Sequence, residues 1–175
     1  RRALSAAEAE ALLSALAKVL PHRAAWVALA LATGARRSEV ERIRREDVRM
    51  VDGAILVRGT KTERSDRVVP ILSLTRPFVQ AALAWGEHAG RLVKPWSNVG
   101  RDLPAALEGL GYVRATPNDL RRTLATWLRA SGVEASLVAE VLGHADSRMV
   151  ERVYGRLAPG QLGAAVEARL ATSAG

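Results

Sequence analysis

The sequence predicts an α+β fold, predominantly α-helical, with a small three-stranded antiparallel sheet. Three observations predict it. Apolar residues recur at helical spacing through most of the chain, with glycines such as Gly34, Gly111, Gly132 and Gly143 as punctuation. Only one stretch, residues 48–70, carries short β-branched runs around a turn signal. The chain has 175 residues, 49% of them hydrophobic, which suits a single domain with a real core.

Taken in order, Ser5-Ala6-Ala7-Glu8 reads as a capping box that opens a helix to about Leu20, where Pro21 breaks it. A second helix, His22 to Thr33, is apolar almost all round and therefore central, and Gly34 ends it. A short third helix carries Glu39, Val40 and Ile43. Val48–Val51 and Ala54–Val57 form a hairpin about the tight turn Asp52-Gly53, and Arg67–Pro70 adds a third strand after a polar loop. Helices follow at about 73–89, 98–109, 117–131, 134–142, 147–154 and 160–171. The last is amphipathic, with Leu162, Val166 and Leu170 on one face.

Composition narrows the function. The net charge is +8, with 23 arginines and three lysines, so the surface attracts polyanions, nucleic acid first among them. A GC-rich coding sequence, which inflates arginine, is the bland account. Cysteine is absent, which removes disulfides and thiolate metal sites and fits a reducing cytosol. No apolar stretch reaches membrane-spanning length, and no signal-peptide pattern opens the chain. The chain starts Arg1-Arg2 without a methionine and reads as part of a longer protein.

Three separated runs carry candidate chemistry: Thr33-Gly34-Ala35-Arg36-Arg37-Ser38-Glu39, Thr116-Pro117-Asn118-Asp119-Leu120-Arg121, and Leu142-Gly143-His144 through Val153-Tyr154. A guanidinium holds two phosphate oxygens in a fork, so Arg36 and Arg121 suit a phosphate clamp. A tyrosine supplies an oxygen nucleophile, and Tyr154 is one of only two. Together they point to metal-free DNA cutting and rejoining. Among 23 arginines, a solvated surface charge is the bland alternative for each. Lysine, unlike arginine, can give up a proton near neutral pH, so Lys61 stands out as a proton donor in an arginine-rich chain. The carboxylates Asp47, Asp66, Asp102 and Asp119 are scattered among basic residues, and no metal or other cofactor is expected.

The three runs, their order and the hairpin between them resemble the three boxes of the tyrosine recombinase, or phage integrase, family. The resemblance covers nearly the whole chain as one catalytic domain, residues 1–175. It implies the recombinase catalytic-domain fold and a site-specific recombinase or integrase that works through a 3′-phosphotyrosine. By resemblance, Arg36 and Arg121 clamp the phosphate, Tyr154 attacks, Lys61 protonates the leaving 5′ oxygen and His144 hydrogen-bonds the phosphate. Glu39 buttresses Arg36, and Asp47 caps or orients the turn into the sheet. Double-stranded DNA is the implied partner, bound by a homotetramer on two duplexes joined through the C-terminal helix. The implied place is the cytoplasm of a bacterium, an archaeon or a phage-infected cell, at the nucleoid. Relatives carry an N-terminal DNA-clamping domain, which these residues do not include.

This chain departs from the family pattern at Asn118, where His or Lys is usual three residues before the second arginine. An amide can hydrogen-bond a phosphate but cannot exchange a proton near neutral pH. Capping the helix that it opens is the simpler role for Asn118. Arg122 stands where a second histidine is common, and the His144-to-Tyr154 spacing is one residue longer than in many relatives. Arg91, Lys94, Arg101 and Arg114, with Arg122, are the expected contacts to the DNA backbone, and such contacts position without specifying sequence. Trp96 could also touch DNA. A type IB topoisomerase-like enzyme and a non-catalytic DNA-binding module with a decayed site are the alternatives.

Overall fold

The computed structural model describes residues 3–59, 66–85 and 88–143, with Ala164, Glu167 and Ala168. Helix α1 spans Ala6–Val19. Ser5 caps it as its sequence predicts: Glu8 N–H donates to Ser5 Oγ at 3.1 Å, and Ser5 N–H donates to Glu8 Oε2 at 2.8 Å. Helix α2, Pro21–Thr33, begins on the proline that was expected to separate the two helices. At the first helical position a proline forfeits no intrahelical bond, so Pro21 starts a helix rather than only stopping one.

Every residue of α2 from Ala24 to Thr33 is buried. The helix packs against α1 and against α3 (Arg37–Val40), α4 (Arg76–Ala84) and α6 (Pro117–Ala130), which accounts for its apolar circumference. The buried Thr33 hydroxyl donates to Leu29 O at 2.7 Å and accepts from Ala35 N–H at 3.1 Å. That pair of bonds fixes the turn through Gly34 that delivers Arg36.

The sheet runs in the order β1 (Val48–Arg49), β2 (Ala54–Val57), β3 (Arg67–Pro70), antiparallel throughout. Ile55 pairs with Val69 and Val57 with Arg67, and all four side chains are buried. β1 is two residues long, shorter than the four expected. Met50–Gly53 form the turn instead, with Gly53 left-handed at φ 63° and Arg76 donating to Met50 O at 3.2 Å. Val51, with no partner strand, is fully exposed.

α4 is also shorter than the expected 73–89. Pro77 sets its start, and Thr75 Oγ1 donates back to Leu72 O at 2.9 Å in the turn before it. After Trp85, His88 and Arg91 close a tight turn by mutual backbone bonds of 2.7 and 3.2 Å, with Ala89 and Gly90 both at positive φ. α5 (Val99–Gly109), α6 and α7 (Ala135–Val141) lie where the periodicity put them. α6 opens on a second capping box, in which Thr116 Oγ1 accepts from Asp119 N–H and Asp119 Oδ2 accepts from Thr116 N–H at 3.0 Å.

Trp96 is a core residue. It stacks edge-to-face on Trp26 at 5.8 Å, donates from Nε1 to Asp102 at 3.1 Å and carries Arg23 over its ring. With 4% of its surface exposed it has no face left for DNA, contrary to expectation. The helices expected at 147–154 and 160–171 lie outside the described residues, save Ala164, Glu167 and Ala168, which are helical. Glu167 accepts a hydrogen bond from Ser73 N–H of the same chain, just ahead of α4. No described helix is long and apolar enough to cross a membrane.

Candidate active site

Two of the expected phosphate ligands come together at the C-terminal end of α2. Gly34, at φ 58°, turns the chain so that Arg36 becomes the residue preceding α3. Arg121, one turn into α6, donates from Nη1 to Gly34 O at 2.6 Å. The two guanidinium groups are thus gathered on one short turn from positions 85 residues apart in sequence. Arg36 is exposed and Arg121 half-buried, so a ligand can reach both.

The electrostatics favour an anion. Burial, then the charges of Arg36 and Arg67, lower the Arg121 guanidinium from its ordinary value to about 10, with Glu39 acting in the opposite direction. Arg121 therefore stays charged at neutral pH, in surroundings that disfavour its charge until an anion arrives.

Glu39 sits beneath Arg36, 2% exposed. Its Oε2 accepts from Arg36 N–H at 2.8 Å, and its Oε1 meets Arg36 Nη1 at 3.3 Å. The same carboxylate takes a second cation, Arg67 Nη2, at 3.0 Å. Burial pushes the Glu39 carboxyl up, but the hydrogen bonds from Arg67 and the Arg36 backbone, with both positive charges, bring it below its ordinary value of 4.5. A carboxyl whose folded value is depressed contributes stability above the unfolded value and loses it as pH falls through the folded one. Thermal melting should therefore weaken below pH 4.5, and Glu39→Gln should lower the midpoint at pH 7 while flattening that acid limb. An equally steep acid limb in the variant would assign the titration to another group.

Asp47, 1% exposed, accepts from Arg44 N–H at 2.9 Å and from Arg58, with Nη2 at 2.6 Å and Nε at 3.1 Å from Oδ1. Gly59 N–H donates to Asp66 Oδ1 at 2.8 Å. These bonds fix Arg58, Gly59 and Asp66, which flank the segment that contains Lys61. Lys61 itself, His144 and Tyr154 lie outside the described residues.

Asn118 is exposed in the first turn of α6, on the turn before Arg121. The cap of that helix is Thr116, so the expected capping role for Asn118 is corrected. Its amide makes no hydrogen bond among the described residues and is available to a ligand. The expected DNA-backbone contacts are all exposed. Arg91 lines an open groove with Arg42, Arg44, Arg58, Gly59 and Asp66, the last two being the described residues on either side of the segment that contains Lys61. Arg101 pairs with Asp102 at 2.9 Å, Arg114 with Glu108 at 3.4 Å and Arg122 with Asp119 at 3.1 Å. The first two pairs are exposed and weak, so Arg101 and Arg114 can exchange a carboxylate for a phosphate at small cost, whereas Arg122 is paired to a buried carboxylate. Lys94 lies near His22 and, after burial, helps to lower that imidazole. Arg42, Arg44 and Arg58 escaped sequence reading because nothing local separates them from other surface arginines.

The fold is the tyrosine recombinase catalytic-domain fold. The phage integrase family model matches residues 2–160, and the chain belongs to that family. It is 28% identical over 155 residues to the tyrosine recombinase XerA of Thermococcus kodakarensis, covering 83% of this chain and 55% of XerA. A crystal structure of XerA recombinase superposes with a TM-score of 0.69 at 24% identity, over 93% of this chain and 62% of that one. The integrase of mycobacterium phage Brujita gives 0.69 at 20% identity, over 97% and 58%. The Tn1549 transposon integrase, in complex with a circular intermediate DNA, gives 0.68 at 18%, over 98% and 65%. At these identities the structures establish the fold. The chain spans between half and two thirds of the length of these relatives.

Proposed function

We propose that this chain is the catalytic domain of a site-specific DNA recombinase that cuts and rejoins strands through a 3′-phosphotyrosine. The observation that carries the reading is the convergence of Arg36 and Arg121 on the Gly34 turn, with Arg121 held charged where burial disfavours it. Family membership supports it, as does the Tn1549 integrase, a similar fold seen with DNA.

In the proposed reaction, Tyr154 Oη attacks the scissile phosphorus and the bond to the 5′ oxygen breaks. Arg36 and Arg121 take the charge that builds on the phosphate oxygens, a contribution of roughly 3 kcal/mol for a good donor in a partly dry site. Lys61 gives its proton to the departing 5′ oxygen, and His144 hydrogen-bonds the phosphate. Asn118 can hold a phosphate oxygen but takes no proton, so the phenolic proton goes to water or to His144. Attack by a 5′-hydroxyl from a partner duplex reverses the step. The phosphotyrosine conserves the bond energy, so neither ATP nor a metal ion enters the scheme. A homotetramer on two duplexes, joined through the C-terminal helix, is the proposed assembly, and the proposed setting is the nucleoid.

The test is covalent trapping. The chain is incubated in EDTA with a randomised pool of nicked duplexes, and adducts are resolved under denaturing conditions. An adduct whose linked peptide maps to Tyr154, and which Tyr154→Phe lacks, is the expected result. Binding without an adduct would replace the enzyme with a DNA-binding module. In a parallel assay on closed supercoiled plasmid, relaxation with no site preference would favour a topoisomerase-like activity.

A further inference from the structure

Arg67 was not among the residues that the sequence singled out, yet it is the most deeply buried arginine of the site, 3% exposed at the start of β3. Its position in the strand explains the burial. Arg67 is in phase with Val69, and both lie among the buried residues of the sheet. Removing a guanidinium from water is expensive, and a buried ion pair can often be replaced by apolar residues without loss of stability. Packing alone therefore gives no reason for an arginine here.

Its contacts join the pieces of the candidate site. Nη2 donates to Glu39 Oε2 at 3.0 Å, and Glu39 in turn holds Arg36 through its backbone N–H and its guanidinium. Nε donates to Val141 O at 2.7 Å, at the end of α7. Nη1 is buried with no hydrogen-bond acceptor among the described residues. It abuts Gly143: a Cβ on that glycine would lie 2.7 Å from Nη1 and 3.0 Å from Cζ. Arg36 Nη1 also reaches Gly143 O, at 3.5 Å. Two guanidinium groups thus lie against Gly143, and it is the residue immediately before His144 in the segment that leads to Tyr154. β3 itself is the strand that follows the Lys61 loop. One buried side chain touches the buttress of the first phosphate-binding arginine and the origin of the nucleophile segment, and its own strand ends the general-acid loop.

At 3% exposure Arg67 does not itself face a phosphate. We infer that Arg67 is a positioning residue for strand cleavage: through Glu39 it sets Arg36, and through Val141 and Gly143 it sets the point from which the His144–Tyr154 segment departs, so that clamp and nucleophile stay in register. The inference rests on the recombinase reading. Geometric coupling of this kind acts on the chemical step, where a displacement of about 1 Å can lower the rate about 10²-fold without weakening binding.

The test uses the full chain with the randomised pool of nicked duplexes, and reads three quantities: the melting midpoint, DNA affinity by fluorescence anisotropy, and the rate of covalent adduct formation. Arg67→Lys keeps the charge opposite Glu39 but loses the fork that spans Glu39 and Val141. Arg67→Met combined with Glu39→Gln removes both buried charges together, avoids an uncompensated carboxylate, and leaves an amide oxygen for Arg36 N–H. Both variants should bind DNA within about threefold of the wild type and form adduct about 10²-fold more slowly. A purely structural role would move affinity and melting together and leave the rate of the bound, folded protein unchanged. A folded variant of either kind that binds and forms adduct within about threefold of the wild type overturns the inference. Absence of any adduct from the wild type overturns the recombinase reading itself, and the inference with it.

Discussion

Replacing Arg121 with methionine should lower the rate of adduct formation by about 10²–10³-fold while leaving the folded protein no less stable. The two effects have one origin. Burial and the charges of Arg36 and Arg67 lower the Arg121 guanidinium to about 10. A cation whose folded value is depressed binds its proton less tightly when folded. Stability therefore rises as pH climbs from about 10 towards the higher unfolded value, and the whole unfavourable contribution is present at pH 7. Methionine removes that contribution and retains an apolar stem of similar reach. Among what it gives up is the 2.6 Å bond to Gly34 O, worth about 1 kcal/mol. In the transition state the balance reverses, because an anionic phosphate turns the disfavoured charge into the needed one. Melting and adduct formation measured on the same preparation check both halves. A variant that melts far below the wild type would make Arg121 a strut for the Gly34 turn. One that cleaves normally would remove it from the site.

That two-sidedness explains which parts of the molecule were legible from sequence. Local signals are legible, because the physics behind them is local. Ser5 with Glu8 closes a capping box within four residues, and the turn at Gly34 needs only that residue's freedom at φ 58°. The strands β2 and β3 announce themselves by β-branched runs. Structure and sequence pattern diverge where a distant group decides. Met50–Gly53 is a turn, held in part by Arg76 from α4, so β1 ends two residues early. Trp96 is drawn into the core by Trp26, 70 positions away. Thr116, not Asn118, caps α6, because Asp119 at the third helical position completes its box. Arg67 was missed for a different reason. A strand-start arginine among 23 reads as solvated, although its period-2 phase with Val69 was a signal that it points inward. The boxes carrying Arg36 and Arg121 were visible as motifs. That they meet on the carbonyl of Gly34 is a tertiary fact that no spacing in the sequence encodes.

The Gly34 turn is also where the fold and the site are least separable, and Gly34→Ala should expose this as a loss of about 2–4 kcal/mol in stability together with a slower reaction. Two penalties add. A left-handed backbone, φ 58° here, costs a residue with a Cβ roughly 1–2 kcal/mol. The new methyl would also lie 2.5 Å from Leu142 Cδ2 and 3.0 Å from Leu124 Cδ2, both buried, and overpacking of that kind typically costs about 1–3 kcal/mol. In a chain of this length such a loss lowers the melting midpoint by about 10 °C. Relief would come from displacing Leu142 or the turn itself. Leu142 adjoins Gly143, and the turn carries the carbonyl that Arg121 binds, so either movement disturbs the clamp. The expected signature is a rate that stays well below wild type, about tenfold or more, even at temperatures where the variant is fully folded. A variant that melts early but reacts normally when folded would show that the turn absorbs the methyl without moving Arg36 and Arg121. Glycine at this position would then serve α2 alone.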